Sequence, residues 1–118
     1  MSSTSTWEQE ASAERAAYDR RSVEDLLEDV RRKNFGRYYT LWYSVAARST
    51  LAVAGWQLFE VLEHQSYDQM YRHHCAAALL YLMQSNRWHP DDLTHNDDHQ
   101  LRVRLREFRL ELAQKIKS

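Results

Sequence analysis

The sequence predicts an all-α protein, an antiparallel bundle or short solenoid of five to six helices, and three observations carry that prediction. Two glycines and one proline in 118 residues are too few for hairpins, so the chain must run in long helices with short joints. Apolar residues recur at the helical period through most of the chain. Residues 66–85, SYDQMYRHHCAAALLYLMQS, are apolar on both sides. Tyr67, Met70, Tyr71, His74, Ala77, Ala78, Tyr81 and Leu82 share one broad face, and Ala76, Leu79, Leu80 and Met83 cover the other. Such a helix is expected to be buried all round, with the other helices packed about it. Ser66, three residues before Gln69, has the capping-box spacing and is expected to start it.

Composition bounds the rest. One domain suffices for this length and buries roughly 65% of the surface of its unfolded chain. Residues 1–21 read as a flexible N-terminal arm, helical when it has a surface to lie on, and 22–118 as a single helical domain. The longest apolar run, Cys75 to Met83, is nine residues, too short to cross a bilayer. The first ten residues lack the basic and apolar regions of a secretion signal, and one cysteine cannot form an internal disulfide. The expectation is a cytoplasmic protein with no membrane partner. A net charge of −1 provides no global field toward nucleic acid or anionic lipid.

The first helix is expected from Thr6 to about Arg20, with a thin apolar stripe of Trp7, Ala11 and Tyr18. Ser22 caps a second, to about Asn34, with a stripe of Val23, Leu26, Leu27 and Val30 and an i, i+4 pair of Glu28 with Arg32. Gly36 is its expected stop. A third spans about Arg37 to Arg48, presenting Tyr38, Leu41, Trp42 and Val45. Thr50 caps a fourth, Leu51 to His64, whose core face is Leu51, Ala54, Gly55, Leu58, Val61 and Leu62. Gly55 within that face costs about 1 kcal/mol against alanine, which makes sense where another helix crosses closely. Short joints near 49 and 65 predict antiparallel neighbours. After the central helix comes a polar connection, 86–96, then a last helix from about Asp97 to Lys117, with aspartates at its start and lysines at its end to match the helix dipole.

The run Leu58 to Leu82, LFEVLEHQSYDQMYRHHCAAALLYL, resembles the junction between two HEAT-type repeats: an apolar helix, a short polar turn, an aliphatic-Arg pair held here by Tyr71-Arg72, small residues at Cys75 to Ala78, and closing leucines at Leu79 and Leu82. The resemblance covers about a fifth of the chain. It implies one HEAT-like helical hairpin and, because proteins of that family are mostly scaffolds, an adaptor that binds another protein.

Three stretches bear on chemistry. His89-Pro90-Asp91-Asp92 and His95-Asn96-Asp97-Asp98 repeat a His-x-Asp-Asp pattern, followed by His99. His89, His95, His99 and Asp92 are the candidate ligands for a divalent metal, with His95 and His99 on one face if the last helix starts early enough. The competing reading is capping, since aspartate is favoured at turns and helix starts. His73-His74-Cys75 invites a nucleophile reading. Adjacent helical positions point about 100° apart, however, and a cysteine in an apolar segment is ordinarily an unreactive core residue, so no catalytic residue is expected and no enzyme. In the last helix Leu101, Leu105, Phe108, Leu112 and Ile116 form the core stripe. Val103 and Leu110 lie almost opposite, beside Arg102, Arg106 and Arg109. Trp56 and Val53 fall on the outer side of the fourth helix, and the alternative for Trp56 is cover by Trp7 or Tyr18 of the arm.

The sequence therefore leads to a non-catalytic protein-interaction module or small adaptor. Its expected surface is Trp56, Val53, Val103, Leu110, Arg102, Arg106 and Arg109, its partner another protein or a second copy of the chain, and no cofactor is needed. A metal-binding protein using residues 89–99 is the alternative. A weak nucleic-acid binder acting through the basic last helix is the least favoured.

Overall fold

Three of the helix starts are set by a capping side chain. The computed structural model describes residues 6–64, 67–95 and 98–117, which hold six α-helices and one 3₁₀ turn: α1 (Thr6–Asp19), α2 (Val23–Arg31), α3 (Thr40–Arg48), α4 (Leu51–Glu63), α5 (Gln69–Met83), the 3₁₀ turn (Pro90–Leu93) and α6 (Asp98–Lys117). No strand occurs among these residues. The Ser22 hydroxyl accepts from Asp25 N and the Thr50 hydroxyl from Val53 N, satisfying orphan amides at the starts of α2 and α4. At α5 the capping side chain is Asp68, which accepts from Met70 N at 2.7 Å; Ser66, the expected cap, lies outside the described residues.

The stops differ from expectation. Helix α2 ends at Arg31, and Lys33, at φ 63°, takes the left-handed position that a C-terminal glycine usually fills. Asn34 N donates to Asp29 O and Lys33 N to Val30 O, the paired bonds of a Schellman turn. Gln84 (φ 54°) closes α5 the same way, with Ser85 N donating to Leu80 O and Gln84 N to Tyr81 O. Gly36 is therefore not a helix stop. Its backbone is left-handed (φ 77°), and a Cβ there would also strike the Tyr18 hydroxyl and crowd Glu14 Oε1 at 3.1 Å, so both conformation and space call for glycine.

That contact is part of how α1 lies along α3. Its single buried apolar side chain is Tyr18, and polar bonds supply the rest. The Glu14 carboxylate accepts from Arg37 N (2.8 Å), Tyr38 N and the Thr40 hydroxyl (2.5 Å), in the turn that leads to α3. The Ser44 hydroxyl donates to Asp19 (2.7 Å), and Arg48 donates to the carbonyls of Tyr18 and Arg21. Arg48 thus puts a cation at the α1 C-terminus, whose last turn has no basic residue of its own.

Helix α5 packs against α3, α4 and the 3₁₀ turn, and α6 packs against α4 and the turn. Cys75, Ala76, Ala78, Leu79, Leu80 and Met83 are buried and join Leu41, Trp42, Val45, Leu58, Leu62, Phe108 and Leu112 in one core. A fully buried leucine here contributes about 2 kcal/mol relative to exposure. The helix that crosses closely at Gly55 is α6: a Cβ would lie 3.0 Å from Ile116 Cδ1 and 3.4 Å from Leu112 Cδ1.

Two expectations about packing fail. The joint Ser49–Thr50 does not lay α3 beside α4. Both residues are extended (ψ 179° and 161°), so the chain leaves α3 before turning, and α5 fills the space between. Nor is α5 buried all round, because Tyr81 is 68% exposed and Met70 is also open to solvent. Among the described residues no helix is long and apolar enough to cross a membrane.

Candidate interaction surface

Helices α4 and α6 run side by side with Phe59 against Phe108 (ring centroids 6.0 Å). Their outer flanks therefore border one groove. It holds about 420 Å³ and is lined by Phe59, Glu63, Arg102, Leu105, Arg106 and Arg109. Phe59 and Leu105 are buried and make an apolar floor, and the guanidinium groups rise along one wall. Trp56 stands at the edge, 41% exposed, with its ring edge-on to Phe59 and the Arg109 guanidinium 5.8 Å from its centroid. A cation over an indole face is worth about 0.5–1 kcal/mol at an exposed site, and it fixes both side chains at the rim. Trp7 and Tyr18 do not take part in this: Trp7 is exposed, and Tyr18 is buried beside Gly36.

Of the seven residues expected at an interface, Trp56, Arg102, Arg106 and Arg109 come together here. Val53 is exposed on the outer face of α4 but outside the groove. Val103 and Leu110, 64% exposed in the case of Leu110, form a separate strip on the solvent side of α6, directly opposite the stripe of Leu101, Leu105, Phe108 and Leu112.

The arginines of α6 are not equivalent. Arg104 Nε donates to the Asp92 carbonyl at 2.5 Å and is used in holding the 3₁₀ turn. Arg102 and Arg106 make no hydrogen bond or ion pair with a described residue. On the opposite flank the acidic residues are engaged internally: Glu107 pairs with Arg87, and Glu111 accepts from Trp88 Nε1 at 2.5 Å.

The His-Asp stretch is organised as a turn. His89 Nδ1 accepts from Asp91 N, and the Asp92 carboxylate accepts from His89 N at 2.9 Å, a reciprocal cap of Pro90–Leu93. The Asp91 carboxylate lies 3.1 Å from His73 Nδ1 and ties the turn to α5. His95 precedes α6 and does not share a helix face with His99. Among the described residues no three of His, Cys, Asp and Glu come together so as to hold a metal ion; Asp97 lies outside them.

In His73-His74-Cys75 the thiol is fully buried and sits 3.2 Å from the Leu58 carbonyl, and burial pushes its pKa well above the usual range, so it carries no thiolate. His74 Nδ1 lies 2.5 Å from the Tyr43 hydroxyl, and its ring stacks on Tyr39 at 4.5 Å. Burial, then the neighbouring His73, lowers the His74 pKa, and burial raises that of Tyr43. Both shifts favour the neutral imidazole and the neutral phenol, so the pair shares one hydrogen bond between uncharged groups.

Sequence reasoning missed a second groove. Between α3 and α5, Tyr43 and Tyr81 flank a floor of Ala46, Ala47, Ala77 and Ala78 in a cleft of about 220 Å³. Its signal was present in the wheel of α5, where tyrosines and His74 share the side opposite the aliphatic Leu79, Leu80 and Met83. Counting every tyrosine as core concealed it.

No protein-family model matches this chain, and neither does any curated protein or solved structure at a significant level.

Proposed function

We propose that this chain is a non-catalytic protein-interaction module, a small adaptor that takes its partner at the α4–α6 edge. The observation that carries the reading is the groove itself: an apolar floor of Phe59 and Leu105 beside three guanidinium groups, with an exposed tryptophan at the rim. Tryptophan and arginine around a desolvated apolar centre are the residue types that dominate binding energy at protein interfaces. The exposed pair Val103 and Leu110 extends the same helix's contact area. The resemblance of residues 58–82 to a HEAT-type hairpin supports the same class of function. A lone cysteine buried without a partner fits a reducing compartment, and we place the module in the cytoplasm.

The test compares the wild-type chain with Trp56→Ala and Leu110→Asp, measuring oligomeric state by native mass spectrometry and bound proteins by affinity capture from its own cells. Both substitutions are at exposed positions and should leave the helical circular dichroism unchanged. Loss of a bound protein, or of a dimer, in either variant is the expected result. Identical mass and identical captured proteins in all three would show that this edge is not an interface.

A further inference from the structure

Deepening that reading, on which it rests, we infer that the α4–α6 groove takes an acidic amphipathic helix, with carboxylates on the arginine wall and apolar side chains on the Phe59–Leu105 floor. Charge complementarity along the groove selects that occupant. Arg102, Arg106 and Arg109 stand at i, i+4 and i+7 of α6, so they form a single row about 10 Å long at 1.5 Å rise per residue. A second helix lying along this row presents side chains at the same spacing, and glutamates three and four residues apart meet the three guanidinium groups in register. Arginine suits this role because its planar fork engages a carboxylate through two parallel hydrogen bonds.

The charge in the groove favours an anion along most of its length. Glu63 is its one acidic lining residue, and the antiparallel run of α4 against α6 puts it toward the Arg102 end, away from Arg109 and Trp56. The Arg106–Arg109 half therefore holds positive charge beside the aromatic rim, which is where an acidic helix with an apolar anchor gains most. Three basic residues over 10 Å are few for tracking a nucleic-acid backbone, and the apolar floor gives a phosphate chain nothing to bind. The protein as a whole is near neutral, so the attraction is local to this row.

The experiment measures fluorescence anisotropy of two labelled synthetic peptides with the intact protein. One is an 18-residue amphipathic helix with a leucine stripe flanked by glutamates at three- and four-residue spacing; the other has every glutamate replaced by lysine. The expected result is binding of the glutamate peptide alone, weakened by added salt and reduced at least about tenfold in Arg106→Glu/Arg109→Glu, with the lysine peptide gained by that variant. Circular dichroism confirms that the variant is folded. Equal binding of both peptides, or no effect of charge reversal, overturns the inference. Tighter binding of a 20-nucleotide single-stranded DNA than of the glutamate peptide, lost on the same reversal, overturns it in favour of nucleic acid. If neither peptide binds while Trp56→Ala still releases a captured protein, the acidic ligand is wrong and the interaction module stands; if Trp56→Ala and Leu110→Asp release nothing either, both fall.

Discussion

Replacing Gly36 with alanine tests how α1 is held to the rest of the molecule. The residue is left-handed at φ 77°, and the new methyl would collide with the Tyr18 hydroxyl and sit 3.1 Å from Glu14 Oε1. A Cβ in left-handed backbone costs about 1–2 kcal/mol before any contact is counted. The Tyr18 ring is buried and has little room to swing aside, so relief comes from α1 lifting, and lifting α1 draws the Glu14 carboxylate from the amides of Arg37 and Tyr38 and from the Thr40 hydroxyl. Losing even one such bond adds about 1 kcal/mol. The sum is about 2–3 kcal/mol. For a chain of this size, with unfolding entropy of about 2.1 cal/mol/K per residue, that is a fall in Tm of about 8–12 °C. Thermal and urea unfolding followed by circular dichroism measure it. Tyr18→Phe removes the colliding oxygen, so the double variant should recover at least about 0.5 kcal/mol relative to additivity. A Tm within about 3 °C of wild type for Gly36→Ala, or strict additivity with Tyr18→Phe, would refute the account of the α1–α3 junction.

Two further outcomes follow from the same geometry. Gln84→Gly places at the end of α5 the residue that bears left-handed backbone without strain, and it should raise stability by about 1 kcal/mol in urea titration. The His74 pKa is lowered by folding, so between its folded and unfolded values the unfolded chain binds the extra proton and stability rises with pH. Its contribution is therefore whole above the unfolded value of about 6.5 and is lost as pH falls from there toward the folded value. Wild type should lose stability over that window more steeply than His74→Gln, and parallel curves would contradict the assignment.

Helix starts were legible in this sequence where a hydroxyl precedes an apolar stripe, as at Ser22 and Thr50, because one side chain decides the cap. Helix ends were not, since left-handed closure at Lys33 and Gln84 comes from chain geometry that neither residue type announces. The glycine that did stand out was assigned the wrong role: Gly36 serves an approach by Tyr18 and Glu14 from 18 and 22 residues earlier, a contact that no local pattern shows. The two apolar sides of α6 and the exposure of Trp56 were readable from the 3.6-residue period. The cleft between Tyr43 and Tyr81 was not, because tyrosine pairs an apolar ring with a polar tip and periodicity alone does not say which one the fold buries.

What gives the α4–α6 edge its direction is the fate of each charge on α6. Arg104 is held by the Asp92 carbonyl, Lys115 and Lys117 face the negative end of their own helix dipole, and Glu107 and Glu111 are engaged by Arg87 and Trp88. Internal partners thus account for the acidic flank and the helix end, and Arg109 lies over the Trp56 ring with its N–H edge left for an anion. Arg102 and Arg106 remain with no partner among the described residues, on the flank where an apolar floor opens between the helices. A solvated arginine on a plain helix face gains little from an anion, about 0–1 kcal/mol. Beside an apolar floor that a partner covers, the same pair is desolvated on binding, and its strength and its discrimination against like charge both increase. The composition of a nearly neutral chain conceals this asymmetry, which exists only once the fold has separated the engaged flank of α6 from the open one.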